Sequence, residues 1–265
     1  MRIGFIGAGR MGAPMVSRLV GTGHDVRAVG RTDEKRSAVA ELGATAVATP
    51  TEALEAAEVV VICVFTDEQV RQVCLDDDLI AAMPRGSTLV LHTTGSPRTA
   101  EAIAARAEAL GVDVVDAPVS GGPHDIAAGH VTLFVGGTPD AVARVRPALA
   151  AYGDPILHVG PIGTGQRVKL INNTMFAGQI GLVAEAIKLG MSLGVPEETL
   201  LHALPHGSGT SRALSGVVAR GSVAGFIDTV GAFVGKDVEV VRKVVAELGG
   251  ELGVLDDVVN AWLET

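Results

Sequence analysis

The first twelve residues constrain most of what this chain can fold into. A short strand-like run, Arg2-Ile3-Gly4-Phe5-Ile6, leads directly into Gly7-Ala8-Gly9-Arg10-Met11-Gly12, and an apolar helix-like segment follows at once. A strand, a turn with glycines at its first, third and sixth positions, and a helix together open a dinucleotide-binding βαβ unit. Gly7 permits the tight turn, Gly9 lets backbone approach a pyrophosphate, and Gly12 lets the helix pack close to the sheet. The helix N-terminus then offers N–H groups and a partial positive charge to phosphate oxygens.

The same alternation continues to about residue 160. β-Branched runs at 25–30, 59–63, 87–92, 112–117, 130–136 and 155–160 are mostly separated by alanine-rich, charged segments with helical periodicity. Strands alternating with helices predict a mostly parallel sheet covered on both faces. The run Val59-Val60-Val61-Ile62-Cys63 has no polar alternation, as a central strand requires. After Gly163 the texture changes to helix formers at 168–194, 196–204, 210–221 and 231–250, with no strand-like run. The expected fold class is therefore α/β: an N-terminal doubly wound sheet over 1–162, a long connecting helix, and a C-terminal all-α domain within 163–265.

Composition excludes several functions. The chain has 265 residues, 48% of them hydrophobic, which is ample for packed cores. Its formal charge is −9 and only 3% of residues are aromatic. Nucleic acid and anionic membrane surfaces call for clustered Lys and Arg, which are missing here. No apolar run reaches the roughly 18 to 20 residues needed to span a bilayer. The N-terminus opens on a strand and a glycine turn, unlike a secretory signal, so a cytoplasmic protein is expected. Cys63 and Cys74 read as small buried hydrophobes, with no zinc-ligand spacing around them. His202 and His206 are four apart, but Pro205 interrupts the helix between them and no carboxylate accompanies them, so no metal is expected.

Three stretches carry chemistry. At the end of the second strand an NAD site normally places Asp or Glu on the ribose 2′-hydroxyl. Here Gly30-Arg31-Thr32 occupies that place, 19 residues past Gly12, and Asp33 and Glu34 fall in the next helix. Arg31 suits adenine stacking and a 2′-phosphate, Thr32 can donate a hydrogen bond to it, and Lys35 adds charge nearby. NADP is therefore expected over NAD. Asp116 to Gly122, DAPVSGG, ends the strand at 112–117, where a Ser-Gly-Gly turn can present a hydroxyl and N–H groups to a carboxylate. Finally, Lys169, Asn172 and Asn173 stand at i, i+3 and i+4 on one face of a helix start. An amine there can move a proton on a substrate oxygen during hydride transfer, and an amide can hold the substrate beside it.

Together these motifs resemble the β-hydroxyacid dehydrogenase family, which also includes glyoxylate/succinic semialdehyde reductases, over nearly the whole chain and in the family's order. GFIGAGRMGAPM is similar to its cofactor motif, HTTGSP (92–97) to its nicotinamide-side turn, and DAPVSGG to its carboxylate loop. GTGQRVKLINN is similar to its catalytic-lysine motif, and GKDVEV (235–240) to its Lys-Asp motif. The resemblance implies a Rossmann-type N-terminal domain and a homodimer or higher homo-oligomer. It makes Lys169 the general acid/base and Asn173, with Asn172, the residues that orient substrate. Ser120, Gly121 and Gly122 would hold the substrate carboxylate, with Ser120 beside the reacting centre. Thr94, Lys236 and Phe65 would join Gly7, Ala8, Gly9, Arg10, Met11, Gly12, Arg31 and Thr32 at the cofactor.

The sequence departs from the family pattern in three ways. Pro123 and His124 follow the carboxylate loop, where the family has small residues. His92 and Thr93 replace the usual start of the nicotinamide-side turn. The chain also stops short of the usual family length, which would shorten the α domain. The expected activity is NADP-dependent hydride transfer between nicotinamide and a small β-hydroxy acid or its aldehyde or keto acid. The alternatives are an imine reductase-like enzyme, whose family generally lacks lysine at position 169, and a cofactor-binding protein without dehydrogenase activity.

Overall fold

The computed structural model describes residues 1–263; Glu264 and Thr265 lie outside the described residues. Two compact units divide at the boundary between Lys169 and Leu170. In the first, nine strands form one sheet: β1 (Arg2–Ile6), β2 (Asp25–Val29), β3 (Thr45–Val47), β4 (Val59–Ile62), β5 (Thr88–Leu91), β6 (Asp113–Asp116), β7 (Val119–Ser120), β8 (Val131–Gly136) and β9 (Gly153–Gly160). Their order is β3-β2-β1-β4-β5-β6-β8-β7, with β9 on β8. The pairings among β1 to β6 are parallel, whereas β8 runs antiparallel to β6 and β7. β1 lies between β2 and β4, so chain order reverses there, and a ligand crevice opens beyond the carboxyl ends of strands at such a point.

β4 and β5 are buried at every position because helices cover both faces. Alternate residues of the same strands feed two cores: Ile3, Phe5, Val59 and Val61 on one side, Ile6, Val60 and Ile62 on the other. β3 and β7 are not predicted from the sequence; they have three and two residues, too few for an alternation to register.

The long helix spans Thr164–Ser192, starting slightly earlier than its apolar texture predicts. It begins in the first unit and continues in the second. The second unit adds helices Glu197–Ala203, Arg212–Arg220, Val223–Glu247 and Val254–Leu263 around a core that includes Ile180, Leu214, Phe226 and Trp262. Val254–Leu263 is absent from the sequence expectation, and Val223–Glu247 starts well before the expected residue 231. Gly225 disguises its first turns, because an interior glycine argues against helix. Ser222 caps it by accepting the Gly225 N–H, and Gly231 lies against Trp262. No single helix among the described residues is long and apolar enough to cross a membrane.

Candidate active site

The glycine turn lies beyond the carboxyl end of β1. Gly7 has φ +105°, and a Cβ added to it would fall 2.2 Å from the Cys63 carbonyl oxygen. A Cβ on Gly12 would fall 2.1 Å from the Gly7 carbonyl oxygen, so the helix start has no room for a side chain there. A Cβ on Gly9 would meet nothing within 4 Å, leaving the outer side of the turn open to an approaching group. No side chain caps the following helix, Gly12–Gly21. Tight packing inward, open space outward and an uncapped helix N-terminus fit a pyrophosphate. Ala8 and Met11 are half-buried, and Arg10 is exposed.

Beyond β2, Thr32 caps helix Asp33–Glu41 by accepting the Lys35 N–H at 3.2 Å. Its hydroxyl proton stays available to donate. Arg36, which sequence reasoning did not single out, donates to the Gly30 carbonyl at 2.9 Å and pairs with Asp33. The carboxylate nearest the strand end is thus already engaged by a guanidinium, and Arg31 is exposed beside it. Phe65, past the end of β4, is 63% exposed.

The turn after β5 is fixed from several directions. His92 Nδ1–H donates to the Ala117 carbonyl at 2.6 Å, and the Tyr152 hydroxyl donates to Nε2 at 2.8 Å. Burial lowers the His92 pKa to about 4, so the ring is neutral. Thr93 Oγ1 donates to the Val64 carbonyl at 2.9 Å and accepts the Val64 N–H at 3.1 Å. Asp67 accepts from the Ser96 N–H and the Thr99 hydroxyl, and burial pushes its carboxyl above the usual range. Thr94, the expected nicotinamide contact, sits half-buried in this turn.

Asp116 closes β6 and is fully buried. Its two carboxylate oxygens accept the N–H groups of Gly163 and Gln166, each at 2.7 Å, at the start of the long helix. It acts as a helix cap supplied by another part of the chain. Burial raises its pKa, against the pull of the two amides. A Cβ on Gly165 would meet the Phe134 carbonyl oxygen at 2.4 Å, which is why glycine stands there. Gln166 is 2% exposed; its side chain donates to the Thr93 carbonyl at 2.8 Å and accepts the Gly95 N–H at 3.0 Å. Lys169 follows one turn later and is 9% exposed. Within the second unit, Asn173 donates to Asp237 at 3.0 Å, and the Asn172 side-chain amide lies 3.5 Å from Asn173 Oδ1. Lys236 precedes Asp237 on helix Val223–Glu247.

The loop Asp116 to Gly122 carries an internal bond. Ser120 ends β7 opposite Thr132, and Gly121 has φ +138°. The Gly122 N–H is donated to Asp125 at 2.7 Å, capping the short helix Pro123–Ala128. That amide is therefore occupied within the loop. The spacing Gly122-Pro123-His124-Asp125 carries this signal in the sequence: proline at the first helical position and an acid at the third. His124 is exposed, its ring 3.4 Å from Asp125. Burial raises both thiol pKa values to about 12, so Cys63 and Cys74 are neutral thiols. His202 and His206 form an edge-to-face ring pair 6.2 Å apart, and no metal-ligating cluster occurs among the described residues.

A profile described as the NAD binding domain of 6-phosphogluconate dehydrogenase matches residues 2–160. A second, described as NAD-binding of NADP-dependent 3-hydroxyisobutyrate dehydrogenase, matches 163–265. The chain belongs to the β-hydroxyacid dehydrogenase family. As a member of that family it is a nicotinamide-dependent oxidoreductase acting on a hydroxyl group. It is 36% identical over 214 residues to an NAD-dependent L-serine dehydrogenase of Pseudomonas aeruginosa, covering 80% of this chain and 72% of that one. A 3-hydroxyisobutyrate dehydrogenase of Mycobacterium tuberculosis, solved with L-serine, superposes with TM-score 0.88 at 30% identity, covering 97% of this chain and 91% of that one. An imine reductase of Streptomyces aurantiacus shares the fold, with TM-score 0.68 at 22% identity over 97% of this chain and 92% of that one.

Proposed function

We propose that this dehydrogenase uses NADP and acts on a small β-hydroxy acid or the corresponding aldehyde or keto acid, with Lys169 as general acid/base. The observation that carries the reading is the fastening of the long helix at its start. Asp116 and Gln166 tie it to the ends of β6 and β5, and Lys169 follows within one turn on the same helix. When bound, a nicotinamide would supply or accept the hydride. Lys169 donates a proton to the substrate oxygen in reduction and takes it back in oxidation. Ser120 and Gly121 hold the carboxylate, and Asn173, itself held by Asp237, orients the substrate. Thr94 and Lys236 are assigned to the cofactor, and Phe65 to its adenosine or ribose side.

NADP is favoured by Arg31 and Thr32 at the end of β2 and by the pairing of Asp33 with Arg36, which occupies the nearest acid. The L-serine dehydrogenase relative is named NAD-dependent, so cofactor choice is tested directly alongside substrate. The substrate class extends to serine, itself a β-hydroxy acid, in view of the two relatives named with it. In the second unit Ile171, Met175, Leu182 and Leu189 are exposed along one helix at spacings of four and seven, an apolar row suited to a second copy of the chain. Light scattering on the purified protein should report a dimer or larger.

The test is a panel of small β-hydroxy acids, serine included, and matching aldehyde acids with NADP(H) and NAD(H), followed by nicotinamide absorbance. Turnover with a carboxylate-bearing substrate and a preference for NADP(H) supports the reading. Tight NADPH binding without turnover of any panel member would overturn it.

A further inference from the structure

We infer that Gln166 is a positioning residue for hydride transfer: its side-chain amide clamps the two peptide units flanking Thr94. Nε2 donates to the Thr93 carbonyl at 2.8 Å, and Oε1 accepts the Gly95 N–H at 3.0 Å. The orientation of the amide is unambiguous, because the reverse would set donor against donor at Gly95 and acceptor against acceptor at Thr93. The backbone N–H of the same residue donates to Asp116 at 2.7 Å. One residue thus links the end of β6, the start of the long helix and the turn after β5, in a place that is 2% exposed.

The rest of the turn is fixed independently. Thr93 is hydrogen-bonded to both backbone groups of Val64, and Ser96 is held by Asp67. A Cβ on Gly95 would fall 2.0 Å from the Asp67 carboxylate, so the turn cannot shift toward that side. Gln166 closes the remaining direction. It also stands three residues before Lys169 on one helix, so a single rigid turn carries both the clamp and the proton-moving amine. The spacing between the Thr94 turn and that amine is therefore set by the Gln166 amide. Placement at this scale matters, since misplacing reacting groups by about 1 Å costs up to ~10²-fold in rate. The kinetic consequence rests on the proposed roles of Thr94 and Lys169; the clamp itself does not.

The test compares wild type with Gln166→Met, which keeps length and apolar shape but loses both hydrogen bonds, and with Gln166→Ala. All three are studied with NADPH bound. Hydrogen–deuterium exchange at the 93–96 segment should quicken about tenfold in both variants, while β1 and β4 exchange as in wild type. Turnover should fall about 10- to 100-fold. The isotope effect from NADPH deuterated at the transferred position should rise, because the hydride step becomes limiting. A merely structural role would lower turnover only as far as the folded fraction falls and leave the isotope effect unchanged. Unchanged exchange at 93–96 overturns the clamp whether or not the protein is active. Faster exchange with unchanged turnover and isotope effect overturns the positioning role. If wild type turns over no panel substrate, the functional reading fails on its own and the exchange result still decides the clamp.

Discussion

His92 makes acid stability a direct test of the buried link behind the turn after β5. Its ring is enclosed, donates to Ala117 and accepts from Tyr152, and burial lowers its pKa from 6.5 to about 4. In the unfolded chain the same ring titrates near its ordinary value. Between pH 6.5 and 4 the unfolded state therefore binds a proton that the folded state refuses, and stability falls as pH falls. At pH 5 the loss is about 2 kcal/mol, since each unit of pKa difference is worth about 1.4 kcal/mol. Above pH 6.5 the effect vanishes. Asp67 and Asp116, whose pKa values burial raises, act in the opposite direction. They cancel when wild type is compared with His92→Phe, which has no titrating ring. The variant is less stable at pH 7.5, because the Ala117 carbonyl and the Tyr152 hydroxyl lose their partner. The difference between the two proteins should then shrink by about 2 kcal/mol at pH 5. Urea denaturation followed by the absorbance of Tyr152, the sole tyrosine, reports the unit that contains both residues. A stability difference that stays constant from pH 7.5 to 5 would refute the reasoning.

Two further perturbations probe other parts of the account. Replacing Arg31 with Ala should weaken NADPH binding about 10- to 100-fold while changing NADH binding little, as read by fluorescence titration. Equal weakening of both would remove the 2′-phosphate from the argument. Asp116→Ala strands the N–H groups of Gly163 and Gln166 in a buried place and should cost about 3 kcal/mol or more in urea denaturation. Asp116→Asn keeps one acceptor and should cost less.

Most of the fold was legible because the strand–turn–helix signal is local. Gly7 and Gly12 were assigned to a tight turn and close packing, and the distances to Cys63 and Gly7 oxygens give the reason. The second unit was harder to read. Gly181 resembles any helix-weakening glycine, yet a Cβ there would fall 1.9 Å from the Val258 carbonyl oxygen. Its purpose appears only once helix Val254–Leu263 is in place. The fastening of the long helix was equally hidden. Asp116 stands in the sequence only as the start of DAPVSGG, and Gln166 carries no pattern of its own. Their roles depend on pairings across 50 and 73 positions of sequence, which no local pattern encodes. The Asp125 cap, by contrast, has a local signature, an acid three residues past Gly122.

Lys169 is proposed to move the proton. Single-turnover oxidation of NADPH by wild type and Lys169→Ala, with the dissociation constant for NADPH measured on the same samples, tests it most directly. Unchanged NADPH binding and a rate lower by roughly 10² to 10⁴ in the variant are expected. A near-normal rate would contradict it.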